Sequence, residues 1–148
     1  MQAKKILIAS DHGGFLLKET LKTYLQKKGW SVLDCGTNST ESVNYPDFAR
    51  ALAQGIKDKK AQRGILICTS GIGMSIAANR YPFIRAALVS SKELAHMARA
   101  HNDANVLVFG AHYIKPNIAK SCVDEFLTTA FDGGRHNCRV RALGRMGK

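Results

Sequence analysis

A short apolar run that breaks into a loop of small residues constrains the fold of this chain most. Residues 64–68 read Gly-Ile-Leu-Ile-Cys, a run rich in branched side chains that is typical of a strand buried on both faces. The chain then passes through the small residues 69–71 and resumes as a helix that ends near Arg80. Strands buried on both faces belong to parallel sheets that helices cover, so this stretch favours an α/β fold.

The same alternation of strand and helix recurs five times. Strands are predicted over residues 5–10, 30–34, 64–68, 84–89 and 105–109, and the longer helices over 15–28, from Tyr45, and over 116–130. This order predicts an α/β three-layer sandwich, with a doubly wound, Rossmann-like, five-stranded parallel sheet. The length of 148 residues suits a single domain over residues 1–148, with a basic C-terminal tail from about residue 132.

Local patterns predict how the later helices begin and which faces they bury. Ser90 and Glu93 have the spacing of a capping box at the start of the fourth helix. Apolar stripes predict the buried faces of the fourth and fifth helices. The stripes are Leu94, Met97, Ala98 and His101 on the fourth helix, and Ile118, Cys122 and Phe126 on the fifth.

Composition limits the partners and the compartment. The net charge of +11 raises the question of nucleic acid, but the basic residues are spread along the chain and no recognised binding motif accompanies them, so we expect no nucleic-acid partner. No segment is long and apolar enough to span a membrane, and the apolar run at residues 6–9 is too short for a signal peptide. We therefore expect a cytoplasmic protein.

The four cysteines, at positions 35, 68, 122 and 138, do not form a metal or redox motif. No pair has C-x-x-C spacing, so zinc sites and thioredoxin-type chemistry lack support. Free thiols in a reducing compartment are the simplest account. We expect no metal and no cofactor.

Reactive side chains gather where the predicted strands end. Asp11 and His12 follow the first strand, residues 68–70 follow the third, and His112 follows the fifth. Ligands of doubly wound sheets bind beyond the carboxyl ends of the strands. His101 and Asn102 instead end a helix and precede the fifth strand.

Each of these residues also has a structural interpretation. A cysteine that ends a buried strand is most often a small core residue, and the pair Asp11-His12 is also suited to capping the first helix. His101 extends an apolar stripe, although the polar residues 102 and 103 indicate a ring near solvent or a cleft. The glycine loop is not a P-loop, because no lysine follows, nor a full dinucleotide fingerprint, because Ile76 takes the third glycine position.

Five segments together resemble the type B ribose-5-phosphate isomerases, a family that also includes the sugar-phosphate isomerases of the lactose and galactose pathway. They are Asp11-His12-Gly13-Gly14-Phe15, Asn44-Tyr45-Pro46-Asp47, the run from Cys68 to Asn79, the run from His101 to Val106, and Gly133-Gly134-Arg135-His136. These segments occur in the family's order and span about residues 5–142. The resemblance implies interconversion of ribose 5-phosphate and ribulose 5-phosphate through an enediolate, in the pentose phosphate pathway and without a metal.

The resemblance also implies roles for individual residues. Cys68 matches the base that takes the C2 proton, a role that backbone amides assist by stabilising a thiolate; Ser70 keeps a hydroxyl that polarises the substrate, and His101 matches the residue that opens the sugar ring. The remaining matches bind substrate. They are Asp11, His12, Tyr45, Thr69, the amides from Gly71 through Gly73 to Ser75, Asn102, Arg135, His136 and Arg139. If residues 135–139 are helical, the two arginines share a face and suit a phosphate.

One departure from the family pattern lies after the fifth strand, where several relatives have arginine and this chain has Ala111-His112. His112 replaces that phosphate contact only when its ring is protonated, so phosphate affinity is expected to weaken above about pH 6.5. The family forms homodimers or homotetramers with shared active sites, and the resemblance implies the same here.

Three other functions remain open at this stage. An isomerase of a six-carbon sugar phosphate, such as allose 6-phosphate or galactose 6-phosphate, differs only in pocket size, although His101-Asn102 favours the ribose type because the lactose-pathway relatives lack that histidine. A non-catalytic nucleotide-binding module lacks support, because the third glycine and the P-loop lysine are absent. Only the net charge suggests a nucleic-acid binder.

Overall fold

The computed structural model describes residues 4–147. It contains a five-stranded, all-parallel sheet in the order β2-β1-β3-β5-β4 and six α-helices. The strands are β1 (Lys5–Ser10), β2 (Ser31–Asp34), β3 (Gly64–Cys68), β4 (Ala86–Leu88) and β5 (Val106–Gly110). The helices are α1 (Phe15–Lys27), α2 (Tyr45–Lys57), α3 (Ile72–Ala78), α4 (Lys92–Asn102), α5 (Pro116–Thr128) and α6 (His136–Leu143).

Helices cover both faces of the sheet, which confirms the three-layer α/β prediction. Side chains alternate across a strand, so Ile65 and Ile67 pack with α1, α4 and α5, whereas Leu66 and Cys68 pack with α2 and α3. The central strands β3 and β5 are buried along their whole length, as the apolar runs predict. The assignment of residues 1–148 to one domain stays a prediction. Among the described residues, each helix is too short or too polar to cross a membrane.

The predicted capping box at the start of α4 is wrong by one residue. The helix begins at Lys92, and the hydroxyl of Ser91 accepts the backbone N–H of Leu94 at 3.2 Å. Ser90 therefore lies outside the helix, and Glu93 occupies its first turn. Because both serines precede the same acidic residue, spacing alone does not distinguish the two caps.

The predicted buried stripes of α4 and α5 are also partly wrong. Leu94 is 48% exposed, Met97 39% and Ile118 42%. Helix α4 packs through small side chains, Ala95 and Ala98, which bring it close to the sheet and to α5. The buried face of α5 consists of Ala119, Cys122, Val123 and Phe126. Strand four is likewise shorter than predicted, since only residues 86–88 pair with β5.

A buried ion pair ties α1 to the end of β2. The side chain of Lys18 is fully buried, and its Nζ lies 2.6 Å from Oδ2 of Asp34 and 3.7 Å from Oε2 of Glu19. The other carboxylate oxygen of Asp34 accepts the backbone N–H of Gly36 at 2.9 Å. Asp34 thus fixes the turn that begins the long loop toward α2.

Replacing Asp34 by Asn is expected to lower the free energy of unfolding by about 3 kcal/mol, because it leaves the Lys18 ammonium buried without its main counter-charge. Burial raises the pKa of Asp34, but hydrogen bonds from Lys18 and Lys22 outweigh burial and hold the pKa below 3.8. A carboxylate with a lowered folded-state pKa stabilises the fold above its unfolded pKa, and this contribution is lost as the pH falls through the folded-state pKa.

Urea unfolding from neutral to acid pH measures this effect. The wild type should lose stability as the pH falls below about 4, and Asp34→Asn should lose less over that range. The exposed Glu41 supplies the control, because Glu41→Gln should unfold like the wild type. Equal stability of Asp34→Asn and Glu41→Gln at pH 7 would contradict the prediction.

Candidate active site

The thiol of Cys68 lies at the carboxyl end of β3, beneath the loop that leads to α3. It is 5% exposed, and its Sγ accepts the backbone N–H of Gly71 at 3.2 Å. Gly71 has φ of +79°, a left-handed conformation that favours glycine. A Cβ at this position would collide with Leu88 and with the backbone N of Gly110. The loop therefore turns over the thiol only because residue 71 has no side chain.

The start of α3 provides free backbone donors beside this loop. The N–H of Ile72 donates to the Ser70 hydroxyl at 3.2 Å, and the N–H of Ser75 donates to the Gly71 carbonyl at 3.0 Å. The amides of Gly73 and Met74 have no acceptor within residues 4–147, as expected in the first turn of a helix. Of the predicted amide set, Gly73 is therefore available to a ligand, whereas Gly71 and Ser75 already have acceptors.

Tyr45, the first residue of α2, packs against Gly73. A Cβ on Gly73 would lie 2.6 Å from Cζ of the Tyr45 ring, and the tyrosine is 39% exposed. Sequence reasoning assigned Gly73 to the approach of a ligand; the structure adds that Gly73 makes room for this ring. Tyr45 thereby lies at the start of α3, and its role in lining a substrate pocket stays a prediction.

Asp11 and His12 follow β1 and lie beside the β3 loop. The Asp11 carboxylate accepts the N–H of Gly14 at 3.1 Å, so it has the capping role that the sequence left open. The Nδ1 atom of His12 accepts the N–H of Val43 at 3.1 Å. A backbone N–H can only donate, so the proton of the neutral ring is on Nε2, and Nε2–H is the donor that remains for a ligand.

Thr69 joins the loops after β1, β3 and β5. A Cβ on Gly13 would collide with the Thr69 side chain, and the N–H of His112 donates to the Thr69 carbonyl at 3.0 Å. We call this assembly the thiol cluster. Its members are Asp11, His12, Tyr45, Cys68, Thr69, Ser70, Gly71, Gly73, Ser75 and His112.

The other predicted residues form a second group, the imidazole cluster, made of His101, Asn102, Arg135, His136 and Arg139. The rings of His101 and His136 are stacked, with centroids 4.4 Å apart and an interplanar angle of 13°. Both arginines are exposed, one at the N-cap of α6 and the other on its first turn. Burial lowers the pKa of His136, and the positive charges of His101, Arg135 and Arg139 lower it further.

A charged network that sequence reasoning missed holds the end of α4. Asp103 ends the helix in a left-handed conformation with φ of +48°. Its carboxylate accepts a hydrogen bond at 2.8 Å from the buried Arg99, and its carbonyl accepts one at 2.7 Å from Arg85. The i, i+4 spacing of Arg99 and Asp103 was the available signal. The network fixes the helix end that carries His101 and Asn102.

The two clusters lie at opposite ends of the strands of the sheet. Cys68 pairs with Gly110 at the carboxyl end of β5, whereas Val106, at the amino end, pairs with Gly64. His101 precedes Val106, so it lies at the end of the sheet where β3 begins. The five residues of β3 separate this end from the carboxyl end by about 13 Å. A single chain therefore does not bring His101 to Cys68.

The hydrogen bond at His12 predicts a tautomer that nuclear magnetic resonance can observe. With ¹⁵N-labelled histidine, Nε2 of neutral His12 should carry the proton and Nδ1 should not. Val43→Pro removes the donor and should mix the two tautomers, whereas Val43→Ala keeps the backbone N–H and should leave the signal unchanged. A protonated Nδ1 in the neutral ring of the wild type would contradict the assignment.

Known proteins match this chain over nearly its whole length. The family described as ribose/galactose isomerase matches residues 6–143. Ribose-5-phosphate isomerase B of Escherichia coli is 42% identical over 140 residues, which cover 95% of this chain and 94% of that protein. A ribose 5-phosphate isomerase structure from Thermotoga maritima is 51% identical, with a TM-score of 0.96 and coverage of 98% of this chain and 100% of that one.

A third relative has been solved with a ligand. The ribose-5-phosphate isomerase B of Mycoplasma genitalium with bound ribulose 5-phosphate is 38% identical, with a TM-score of 0.92 and coverage of 98% of this chain and 97% of that one. The likeness extends over fold and sequence alike, and the chain belongs to the ribose/galactose isomerase family.

Proposed function

We propose that this protein is an aldose–ketose isomerase that interconverts ribose 5-phosphate and ribulose 5-phosphate, the conversion of the pentose phosphate pathway. The observation that carries the proposal is the Cys68 thiol, which accepts an amide N–H beside a turn with free backbone donors. A relative with the same fold binds ribulose 5-phosphate. The four free cysteines suit a reducing compartment, and we place the enzyme in the cytoplasm.

The reaction needs a base, an oxyanion site and a group that opens the sugar ring. The Cys68 thiolate takes the proton from C2, and the electron pair of that C–H bond forms the enediolate. Gly73 and Met74 direct their free N–H groups at the developing oxyanion, and the Ser70 hydroxyl polarises the carbonyl. The proton is delivered to C1 while the hydroxyl proton on O2 passes to O1, which forms the C2 carbonyl and regenerates the base. No step requires a metal or a cofactor.

The imidazole cluster supplies the remaining functions. His101 exchanges a proton with the ring oxygen and opens the cyclic sugar, with Asn102 as a neighbouring donor. Arg135 and Arg139 bind the phosphate as charged forks, and His136 lies beside them. This cluster lies at the opposite end of the strands from Cys68. A second copy of the chain must therefore bring the imidazole cluster to the thiol.

An exposed apolar surface lies between the two clusters and supports such a dimer. It follows the edge strand β4 and borders a groove of about 630 Å³. Its exposed side chains are Leu88, Leu94, Met97, Leu143 and Met146. Surfaces of this kind mark interfaces, and a two-fold axis through it exchanges the two clusters between subunits. We propose a homodimer with two shared sites, which two such dimers extend to a tetramer if they pair.

Cys68→Ala should reduce kcat for ribose 5-phosphate by at least about 10³-fold, because it removes the base. Substrate binding, measured by calorimetry, should persist. Conversion by the wild type should be unaffected by a chelator. Cys35→Ala, which removes a half-buried thiol that donates to the Leu33 carbonyl outside both clusters, should retain full activity. Turnover by Cys68→Ala would remove the thiol from this role, and faster conversion of allose 6-phosphate or galactose 6-phosphate would indicate a six-carbon substrate.

Mixing two inactive variants tests the shared site. If His101 and Cys68 of different subunits work together, Cys68→Ala and His101→Asn unfolded together and refolded as a mixture should regain about a quarter of the wild-type activity, since half of the dimers then hold one intact site. Each variant refolded alone is the control. A mixture as inactive as its components would show that the two residues do not act across an interface.

His112 is proposed to contact the phosphate in place of the arginine of several relatives. Its backbone bond to Thr69 places it in the thiol cluster, and the residue is exposed. Since only the protonated ring attracts phosphate, KM of the wild type should rise from about pH 6 to about pH 8.5. The KM of His112→Arg should stay lower and flatter, and parallel curves would reject this role.

A further inference from the structure

We propose that His101, Asp132 and His136 form a binding site for a divalent transition-metal ion such as Zn²⁺ or Co²⁺. One ligand atom from each side chain lies within 4.8 Å of the others. Across residues 4–147 this is the single group of three or more histidine, cysteine or acidic side chains that come so close. Asp132 has no part in the isomerase proposal, so the catalytic roles do not account for its position.

Backbone hydrogen bonds hold the three residues in place. The N–H of Asp132 donates to the carbonyl of Ala100 at 2.9 Å, which seats this residue beside the last turn of α4. Asp132 Oδ2 then lies 3.9 Å from His101 Nε2. Gly133 and Gly134 both have left-handed φ values, and the N–H of His136 donates to the Gly133 carbonyl at 3.0 Å. This turn folds His136 back onto His101.

Two imidazoles and one carboxylate are a ligand set that suits borderline divalent metals and leaves coordination positions open to water. A metal binds the neutral imidazole. Arg135 and Arg139 lie close enough to His136 for their positive charges to act on its ring. The same arginines repel a cation, and we expect a site that exchanges its ion readily.

Binding requires a small rearrangement. A metal lies in the plane of each imidazole that binds it, so the stacked rings, now 13° from parallel, must rotate apart. Tetrahedral ligands of zinc lie about 3.4 Å from one another, closer than the present limit of 4.8 Å. The Asp132 side chain is 60% exposed and His101 32%, so the surroundings leave room for this movement.

Occupancy has a consequence for catalysis that rests on the proposed function. A metal on His101 takes the lone pair that carries the proton exchanged with the ring oxygen, and it also occupies His136. The metal and the sugar phosphate then exclude one another. Zn²⁺ is expected to be a reversible inhibitor that competes with ribose 5-phosphate and that a chelator removes.

The test titrates the metal-free protein with Zn²⁺ by calorimetry and with Co²⁺ by absorption, in phosphate-free buffer. We expect one ion per chain and a visible Co²⁺ spectrum without the intense near-ultraviolet band of a thiolate ligand. Asp132→Asn and His136→Gln should each weaken binding at least about tenfold. His96 gives the matched control, because it pairs with Glu125 at 2.7 Å without a third ligand from residues 4–147, and His96→Gln should bind like the wild type.

Unchanged metal affinity in both Asp132→Asn and His136→Gln would overturn the proposal. A thiolate band in the Co²⁺ spectrum that disappears in Cys68→Ser or Cys138→Ser would also overturn it. The inhibition is measured separately, with the rate of each variant compared with its own rate in chelator. If the protein does not isomerise ribose 5-phosphate, the titrations still decide whether the metal site exists. If it does, inhibition that Asp132→Asn does not relieve would refute the competition.

Discussion

The hydrogen bond from the Gly71 amide to the Cys68 sulfur connects the fold to the chemistry. It exists because β3 ends at residue 68 and the chain then turns through a left-handed glycine against Gly110 of the neighbouring strand. The thiols of Cys35, which follows β2, and of Cys122, on α5, have different surroundings. Burial raises the pKa of Cys35, and it raises that of Cys122 to about 11. The Cys68 sulfur accepts the Gly71 N–H, whereas the Cys35 thiol donates to the Leu33 carbonyl. A thiol at the end of a central strand thus meets the backbone amides of the following loop, whereas a thiol in the core meets apolar side chains.

Much of the fold was predictable because it depends on periodicity. Buried strands and amphipathic helices are local patterns, and the strand boundaries at residues 5–10 and 64–68 agree with the structure. Errors arose where a choice depends on the partner surface. The exposed Leu94, Met97 and Ile118 lie on helix faces that look apolar enough to be buried. Small alanines pack closer to the sheet, and a sequence pattern does not show which of two apolar faces a neighbour covers.

The candidate site was predictable in its residue types but not in its assembly. Tyr45, His12 and the β3 loop lie close together, because the carboxyl ends of parallel strands lie on the same side of the sheet. The contacts that orient them involve residues to which the sequence assigned no role, such as the Val43 amide at His12 and the Arg99–Asp103 pair behind His101. The sequence order, in which His101 ends a helix and precedes β5, agrees with the position of His101 at the amino ends of the strands.

That separation makes the state of assembly part of the chemistry. A chain that carries the proposed base at the carboxyl ends of the strands and the proposed ring-opening imidazole at the amino ends holds no complete site alone. Dissociation of the proposed dimer is therefore expected to remove activity without unfolding a subunit. The proposed dimer also accounts for the exposed apolar side chains around β4, Leu88 and Met97 among them, which an isolated chain leaves in water.

The imidazole cluster shows how one charge arrangement favours one ligand over another. Arg135 and Arg139 flank the stacked rings, attract a phosphate and repel a cation, while Asp132 does the reverse. Coulomb interactions of exposed groups are screened by salt, so the preference for the anion is strongest at low ionic strength. The arginines outnumber the carboxylate beside His136. The proposed phosphate site is therefore expected to take a sugar phosphate when one is present, and the proposed metal site is open only when the phosphate is absent.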